Sequence, residues 1–259
     1  MEELIKALPE LLSTIWWPFC RFMAALSLAP FLGENSVPVR ARLMIAVALA
    51  VIVIPVARPL TAVDPVSLHG IVVAIEQAMI GLLFGLAFHL VNAAIMMFAF
   101  LVSSQMGLSM AVMNDPINGA SSDVISSLLF VLTALVFFSI DGHLIVTNEV
   151  FHSFKAWPVG QGLDMLSFKT LVYSTSWMFS AALLLSLPIV FSTMVVQIGF
   201  GFLNRAAATL NLFSLGFSVI TLFGLVMLSY LIRSVPEHYL HMTDQVLTML
   251  HQQMGGGRG

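Results

Sequence analysis

A stretch of 38 residues without a formally charged side chain, Gln77–Asn114, constrains this chain more than any other feature of its sequence. As one straight α-helix it would extend roughly 57 Å, about twice the hydrocarbon thickness of a bilayer. At Ser103-Ser-Gln105 hydroxyls and an amide replace apolar residues, and Asn114-Asp-Pro116 must end any helix. The sequence therefore predicts a long apolar helix from about Ile71 to Val102, followed by an irregular segment from Ser103 to Asp123.

The composition is that of a membrane protein. Of the 259 residues, 59% are hydrophobic and 9% are charged, whereas soluble domains carry roughly 25% charged residues. A net charge of -3 without a basic run argues against nucleic acid as a partner. Cys20 is the only cysteine, and neither a Cys/His cluster nor an HExxH or GxSxG motif occurs. We therefore expect no metal, no cofactor and no enzymatic activity.

The remaining apolar segments are uneven in length. Leu11–Leu32 is interrupted by Pro18 and Arg21, and Leu43–Val56 is short for a span. Val124–Ile140 is a further apolar segment, and Asp141–Lys169 is interpreted as a polar connection.

Two long apolar segments follow. Thr170–Asn204 and Ala207–Ile232 meet at a polar corner formed by Asn204 and Arg205, which predicts a helical hairpin over Thr170–Ile232. The fold class is therefore all-α and membrane-associated, with about six hydrophobic helical segments, several of them broken or kinked, arranged as hairpins. Broken helices persist in a membrane only inside protein or beside water, so this pattern predicts partner subunits.

Two charged residues, Arg21 and Glu76, lie in or beside apolar segments, where an unpaired charge costs several kcal/mol. They could pair with each other, or each could extend to a membrane interface. His143, Glu149 and His152 lie in the polar connection, and we expect them to be solvated loop residues.

A methionine-rich segment precedes the helix-ending proline. Met106, Met110 and Met113 are spaced as one helical face, and flexible thioethers can seal an irregular gap. The alternative is a methionine-rich core face. The candidate pore plug or gate comprises Gln105, Met106, Gly107, Met110, Met113, Asn114, Asp115 and Pro116.

Several motifs in this order resemble one family. They are Gln105-Met-Gly-Leu-Ser109 with Asp115-Pro116, Asp141-Gly-His-Leu144, Gly201-Phe-Leu-Asn-Arg205, Leu212-Phe213 and Gly216-Phe217. Together they are similar to the FliR family of flagellar export-gate proteins, whose counterpart in virulence secretion is SctT. The similarity extends from the Trp16-Trp17-Pro18 region to about Arg233.

The resemblance implies a gate subunit of a type III secretion system in the bacterial inner membrane, at the flagellar basal body. It implies a helical ring with FliP-like and FliQ-like subunits, an FlhB-like neighbour, surrounding lipid, and a pore for unfolded exported proteins. It also implies a FliP-like part over residues 1–169 with a plug loop at 105–122, a FliQ-like hairpin over 170–232, and a C-terminal tail over 233–259.

A second interpretation stays open at this point. Broken helices with buried ionisable groups are also typical of secondary transporters, in which Glu76 and His89 could carry protons. No matching half-sequences support such a carrier, and His89 is more simply a helix-packing donor. The alternative function is therefore a proton-coupled small-molecule carrier.

Overall fold

The computed structural model describes residues 2–34, 37–57, 64–65, 67–108, 123–162, 165–206 and 212–256. Over these residues the chain forms eight α-helices and no strand, which confirms the all-α prediction. The helices are α1 (Glu2–Leu28), α2 (Val39–Val53), α3 (Leu68–Gln105), α4 (Val124–Ser139), α5 (Gly142–Ala156), α6 (Met165–Ala206), α7 (Leu212–Leu231) and α8 (Val235–Gly256).

Length and apolar composition make two of these helices candidates for crossing a membrane. They are α3 and the Lys169–Ala206 part of α6. Two bent pairs, α4 with α5 and α7 with α8, could each count as one further span, so the described residues offer two to four spans. These segments agree with the predicted membrane protein of uneven hydrophobic helices.

The helices form two compact units. The first contains Met1–Leu90, Phe137–Ser174 and Thr243–Gly259, and the second contains Val91–Val136 and Thr175–Met242. Four helices, α3, α4, α6 and α8, contribute residues to both units. The division predicted at residue 169 rests on the resemblance and stays a prediction.

In the first unit, α1 and α3 cross in direct backbone contact. A methyl group on Gly81 would collide with the carbonyl oxygen of Arg21, and one on Gly85 would collide with that of Ala25. Small residues four positions apart allow such a close crossing between apolar helices. Pro18 interrupts the apolar run in the sequence, but the helix α1 continues through it to Leu28.

A tight corner joins α4 to α5. Asp141 has a left-handed backbone with φ 55°, which aspartate tolerates better than most residues. A methyl group on Gly142 would collide with the ring and carbonyl oxygen of Phe137. The geometry of this corner therefore explains why aspartate and glycine begin the Asp141–Leu144 motif.

Two amphipathic helices lie in the predicted polar connection and in the predicted C-terminal tail. In α5, the buried residues Val146, Val150 and Phe154 recur every four positions and form one apolar face. A comparable face in α8 contains Tyr239, Met242, Val246 and Leu250. Both segments therefore pack through one face of an amphipathic helix.

Glu149 is buried in α5, contrary to the expectation of a solvated loop residue. It is 5% exposed, and its Oε1 lies 3.1 Å from the His251 Nε2 of α8. His152, by contrast, is exposed. The contact joins α5 to the C-terminal part of α8 within the first unit.

Candidate functional site

A buried guanidinium joins three parts of the first unit. Arg21 of α1 is 0% exposed, and its Nε donates a hydrogen bond to Gln77 Oε1 of α3 at 2.9 Å. Its Nη1 donates to Ser153 Oγ of α5 and its Nη2 to the Trp157 carbonyl oxygen, each at 2.9 Å. The guanidinium also lies 4.0 Å from the centre of the Phe154 ring. Arg21 therefore connects helices and does not extend to an interface.

Gln77 links this cation to Glu76. The Gln77 amide accepts from Arg21 and donates from Nε2 to Glu76 Oε1 at 3.1 Å. The sequence left open whether the two charged residues pair. The structure brings them into one network in which a neutral amide lies between them, and each charge acts on the other.

The Glu76 carboxylate also accepts backbone hydrogen bonds from Gly160 and Gly162. These glycines have φ 82° and 92°, a left-handed conformation that glycine adopts without steric cost. Backbone N–H groups in such turns form concave anion sites. Here the anion is the protein's own carboxylate, so the loop after α5 is fastened to α3.

This network holds α1, α3 and α5 together and is closed to solvent. Glu76 is 6% exposed, while Gln77 and Ser153 are 0% exposed. Each polar group named above has a protein partner. Over the described residues, no three His, Cys, Asp or Glu side chains gather as metal ligands would.

The predicted plug begins at Gln105, which is the last residue of α3 and lies in the second unit. Leu108 N donates to the Ser103 carbonyl oxygen and Gly107 N to that of Ser104, each at 3.1 Å, and Gly107 has φ 77°. This is a Schellman motif, in which a left-handed glycine ends a helix. Gly107 therefore directs the chain away from the axis of α3.

Met106 is 0% exposed. A methyl group on Gly224 of α7 would lie 2.6 Å from Met106 Cγ, so the methionine side chain lies across that glycine. Gln105 is half-buried at the last residue of α3. The other predicted plug residues, Met110, Met113, Asn114, Asp115 and Pro116, lie outside the described residues.

The structure describes the α6 side of the predicted hairpin corner, up to residue 206. Asn204 and Arg205 are exposed in the last turn of α6. A positive charge at that place complements the negative end of the helix dipole. A methyl group on Gly216 would make an ordinary 3.5 Å contact with the Phe200 ring, so α7 and α6 lie side by side near this end.

Comparison with known proteins identifies the family. A family model described as "Bacterial export proteins, family 1" matches residues 12–246. The chain belongs to this family. The match favours protein export over the small-molecule carrier.

Curated relatives agree with that assignment over most of the chain. The Flagellar biosynthetic protein FliR of Pectobacterium carotovorum is 30% identical over 92% of this chain and 91% of its own length. That of Escherichia coli K12 is 28% identical, over 92% of each chain. The Yop proteins translocation protein T of Yersinia pestis is 25% identical over 82% of each. The family therefore includes proteins named for flagellar biosynthesis and for Yop translocation.

Sequence patterns do not indicate the partners of Arg21. Gln77, Ser153 and Trp157 stabilise Arg21 from positions 56, 132 and 136 residues away. Residues so far apart in the chain form no periodic pattern in the sequence that would reveal their contact. One local signal was available, since Gly81 and Gly85 in an apolar helix indicate a close helix crossing, and that crossing brings α3 against Arg21.

Proposed function

We propose that this member of the bacterial export family is a non-enzymatic subunit of a type III export gate in the bacterial inner membrane. It closes and gates a pore for unfolded proteins, in a complex with FliP-like and FliQ-like subunits and an FlhB-like neighbour. The observation that carries the proposal is the family match over residues 12–246. The flagellar names of the most similar relatives favour the flagellar basal body.

The surface of α6 supports assembly with partner subunits. This helix has 42 residues, which is about 63 Å, and it stays longer than a ~30 Å hydrocarbon core at tilts up to about 40°. Only 22% of its most apolar window is buried within the chain, against 56% in α3. A hydrocarbon core of that thickness does not cover the whole helix, which supports packing of α6 against other protein helices.

Export itself provides the first test. Deleting the gene should abolish secretion of flagellar-type substrates, and the intact chain should restore it. Glu76→Gln should also restore it, because the residue serves a structural network and a gate needs no proton carrier. Loss of export by Glu76→Gln in fully assembled complexes would contradict this assignment and favour a proton-coupled mechanism.

Closure of the pore needs a separate test. Met110→Ala with Met113→Ala removes soft apolar volume from the predicted plug, and should make the resting membrane leaky to ions and small solutes. Met106 is left intact because it is buried, and its loss would also create a core cavity. Normal complex yield with no leak would contradict the plug assignment.

A further inference from the structure

An open, apolar groove lies between α2 and α5 in the first unit. Its volume is about 450 Å³, within the range of roughly 300–1,000 Å³ that small-molecule sites span. Six of the eight side chains that line it are apolar, among them Phe22 of α1, Leu49 and Ile52 of α2, and Ile145 and Phe151 of α5. Phe22 is 1% exposed and forms the base, whereas Ile52 is 67% exposed at the opening. The groove therefore offers hydrocarbon surface to a ligand that enters from outside the chain.

The two polar side chains of the groove leave its interior apolar. The Thr147 hydroxyl lies 3.0 Å from the carbonyl oxygens of His143 and Leu144, so its proton is used within α5. Asn148 is exposed, and its amide lies on the outer side of the groove. None of the lining residues carries a charge. A charged group inside would lose its hydration without gaining a partner, so the groove suits the hydrocarbon part of a ligand.

Two arginines in the first turn of α2 supply positive charge on the same helix. Arg40 is exposed. Arg42 Nη2 donates to the carbonyl oxygens of Glu34 and Val37 at 3.1 and 3.2 Å, and its Nε is buried without a hydrogen-bond partner among the described residues. The ion pairs of the described residues include neither arginine. Both positive charges are therefore uncompensated and available to an anion.

Arg42 lies in line with the groove. Arg42, Leu49 and Ile52 are on one side of α2, within about 80° around its axis at 3.6 residues per turn. Ile52 is about 15 Å beyond Arg42 along the helix, at a rise of 1.5 Å per residue. One leaflet accounts for half of the ~30 Å hydrocarbon core, which is also about 15 Å. The charge and the groove are thus spaced like the phosphate and the acyl chain of one lipid.

We propose that the groove between α2 and α5 binds an acyl chain of an anionic phospholipid whose phosphate pairs with Arg40 and Arg42. Basic residues near a membrane surface attract anionic lipids, with an increase in affinity of about fivefold for each residue. A free phosphate would use the arginines alone, whereas a phospholipid uses the arginines and the apolar groove together. The site goes beyond the proposed function, since it lies wholly in the first unit and involves neither the pore nor the predicted plug.

Photocrosslinking in the complete export complex tests the occupant directly. A diazirine side chain in place of Asn148 lies at the groove, and on irradiation it inserts into a neighbouring C–H bond. In native membranes the peptide that contains residue 148 should gain the mass of a phospholipid. A crosslink to a neighbouring protein instead would show that a protein segment fills the groove, and would overturn the proposal.

Selectivity for the headgroup is measured with the same probe in the purified complex. Phosphatidylglycerol and phosphatidylcholine with identical acyl chains are titrated separately, and the parent should crosslink the anionic lipid at lower concentration. Arg40→Gln removes one charge, leaves the hydrogen bonds of Arg42 intact, and should weaken phosphatidylglycerol binding about fivefold. Arg233 is exposed in the second unit, and Arg233→Gln is the matched control that should behave as the parent. Equal affinity for the two lipids, or unchanged affinity in Arg40→Gln, would overturn the proposal.

The apolar half of the site is tested by filling the groove. Ile52→Trp adds volume at the opening and should remove crosslinking of both lipids, because the acyl chain loses its place. Met44 is 71% exposed on the same helix and does not line the groove, so Met44→Trp is the control and should crosslink as the parent does. Equal crosslinking in the two variants, at equal yield of the complex, would overturn the proposal. If Ile52→Trp lowers the yield, the exposed Arg40→Gln variant still decides the question.

Discussion

Gly81 lies so close to the carbonyl oxygen of Arg21 that not even a methyl group fits between the two residues. This contact sets the distance between α1 and α3, and the guanidinium of the same arginine then reaches Gln77 one turn earlier in α3. Backbone packing and buried hydrogen bonding thus depend on one another at this crossing.

Gly81→Ala should therefore disrupt the first unit. The added methyl group forces α1 and α3 apart, and displaces the backbone that carries Arg21. We expect a loss of about 1–3 kcal/mol in stability, as in other overpacked sites, measured as reduced yield and lower melting temperature of the purified complex. Gly255→Ala at the end of α8, where nothing lies within 4 Å of the new methyl group, is the control. Equal stability of the two variants would contradict the close crossing.

Replacing the buried cation should be more damaging. Arg21→Met leaves Gln77, Ser153 and the Trp157 carbonyl oxygen without their donor and Glu76 without a nearby opposite charge, and breaking a buried ionic network costs about 3–5 kcal/mol. Arg21→Lys should not restore stability, because one ammonium cannot reproduce the planar set of donors. A stable, export-competent Arg21→Met complex would show that the network is dispensable.

The loop that holds Glu76 can be tested at its backbone. Gly160→Ala places a methyl group on a left-handed residue at φ 82°, although open space surrounds it. The expected cost is about 1–2 kcal/mol from conformation alone. Gly160→Asn should cost less, since asparagine tolerates this region. The melting temperatures of the two variants show which is the more stable. An alanine variant as stable as the parent would contradict the claim that residue 160 needs a left-handed backbone.

Some of this structure follows from sequence patterns alone. The charge-free segment predicts α3, and the apolar segments predict α4, α6 and α7, because a membrane-scale apolar helix leaves a long and simple signal. The serines predict that α3 ends at Val102, whereas the helix reaches Gln105. Its boundary follows from Gly107, whose left-handed backbone ends the helix.

Other features depend on contacts between distant residues. Glu149 is charged and lies between two histidines, so composition suggested a solvated loop. Val146, Val150 and Phe154 instead form the apolar face of a helix. Glu149 belongs to that helix, and its carboxylate is buried beside His251. Local composition cannot reveal a partner 102 residues away.

The isolated chain should behave poorly without its partners. Exposed apolar side chains cover α6, among them Phe179, Leu183, Leu184, Leu187, Phe191, Val195, Ile198 and Phe202. Expressed alone and extracted in detergent, the chain should elute as heterogeneous aggregates on size exclusion. Co-expression with the partner subunits should yield a single defined species. A monodisperse, thermally stable monomer would argue against an obligate gate subunit.

The most direct test of the account is affinity purification of the tagged, full-length chain from membranes of its own host, followed by native mass spectrometry. The account predicts one complex in which this chain is bound in fixed stoichiometry to FliP-like and FliQ-like membrane subunits. Recovery of the chain alone, from cells in which protein export is active, would contradict it.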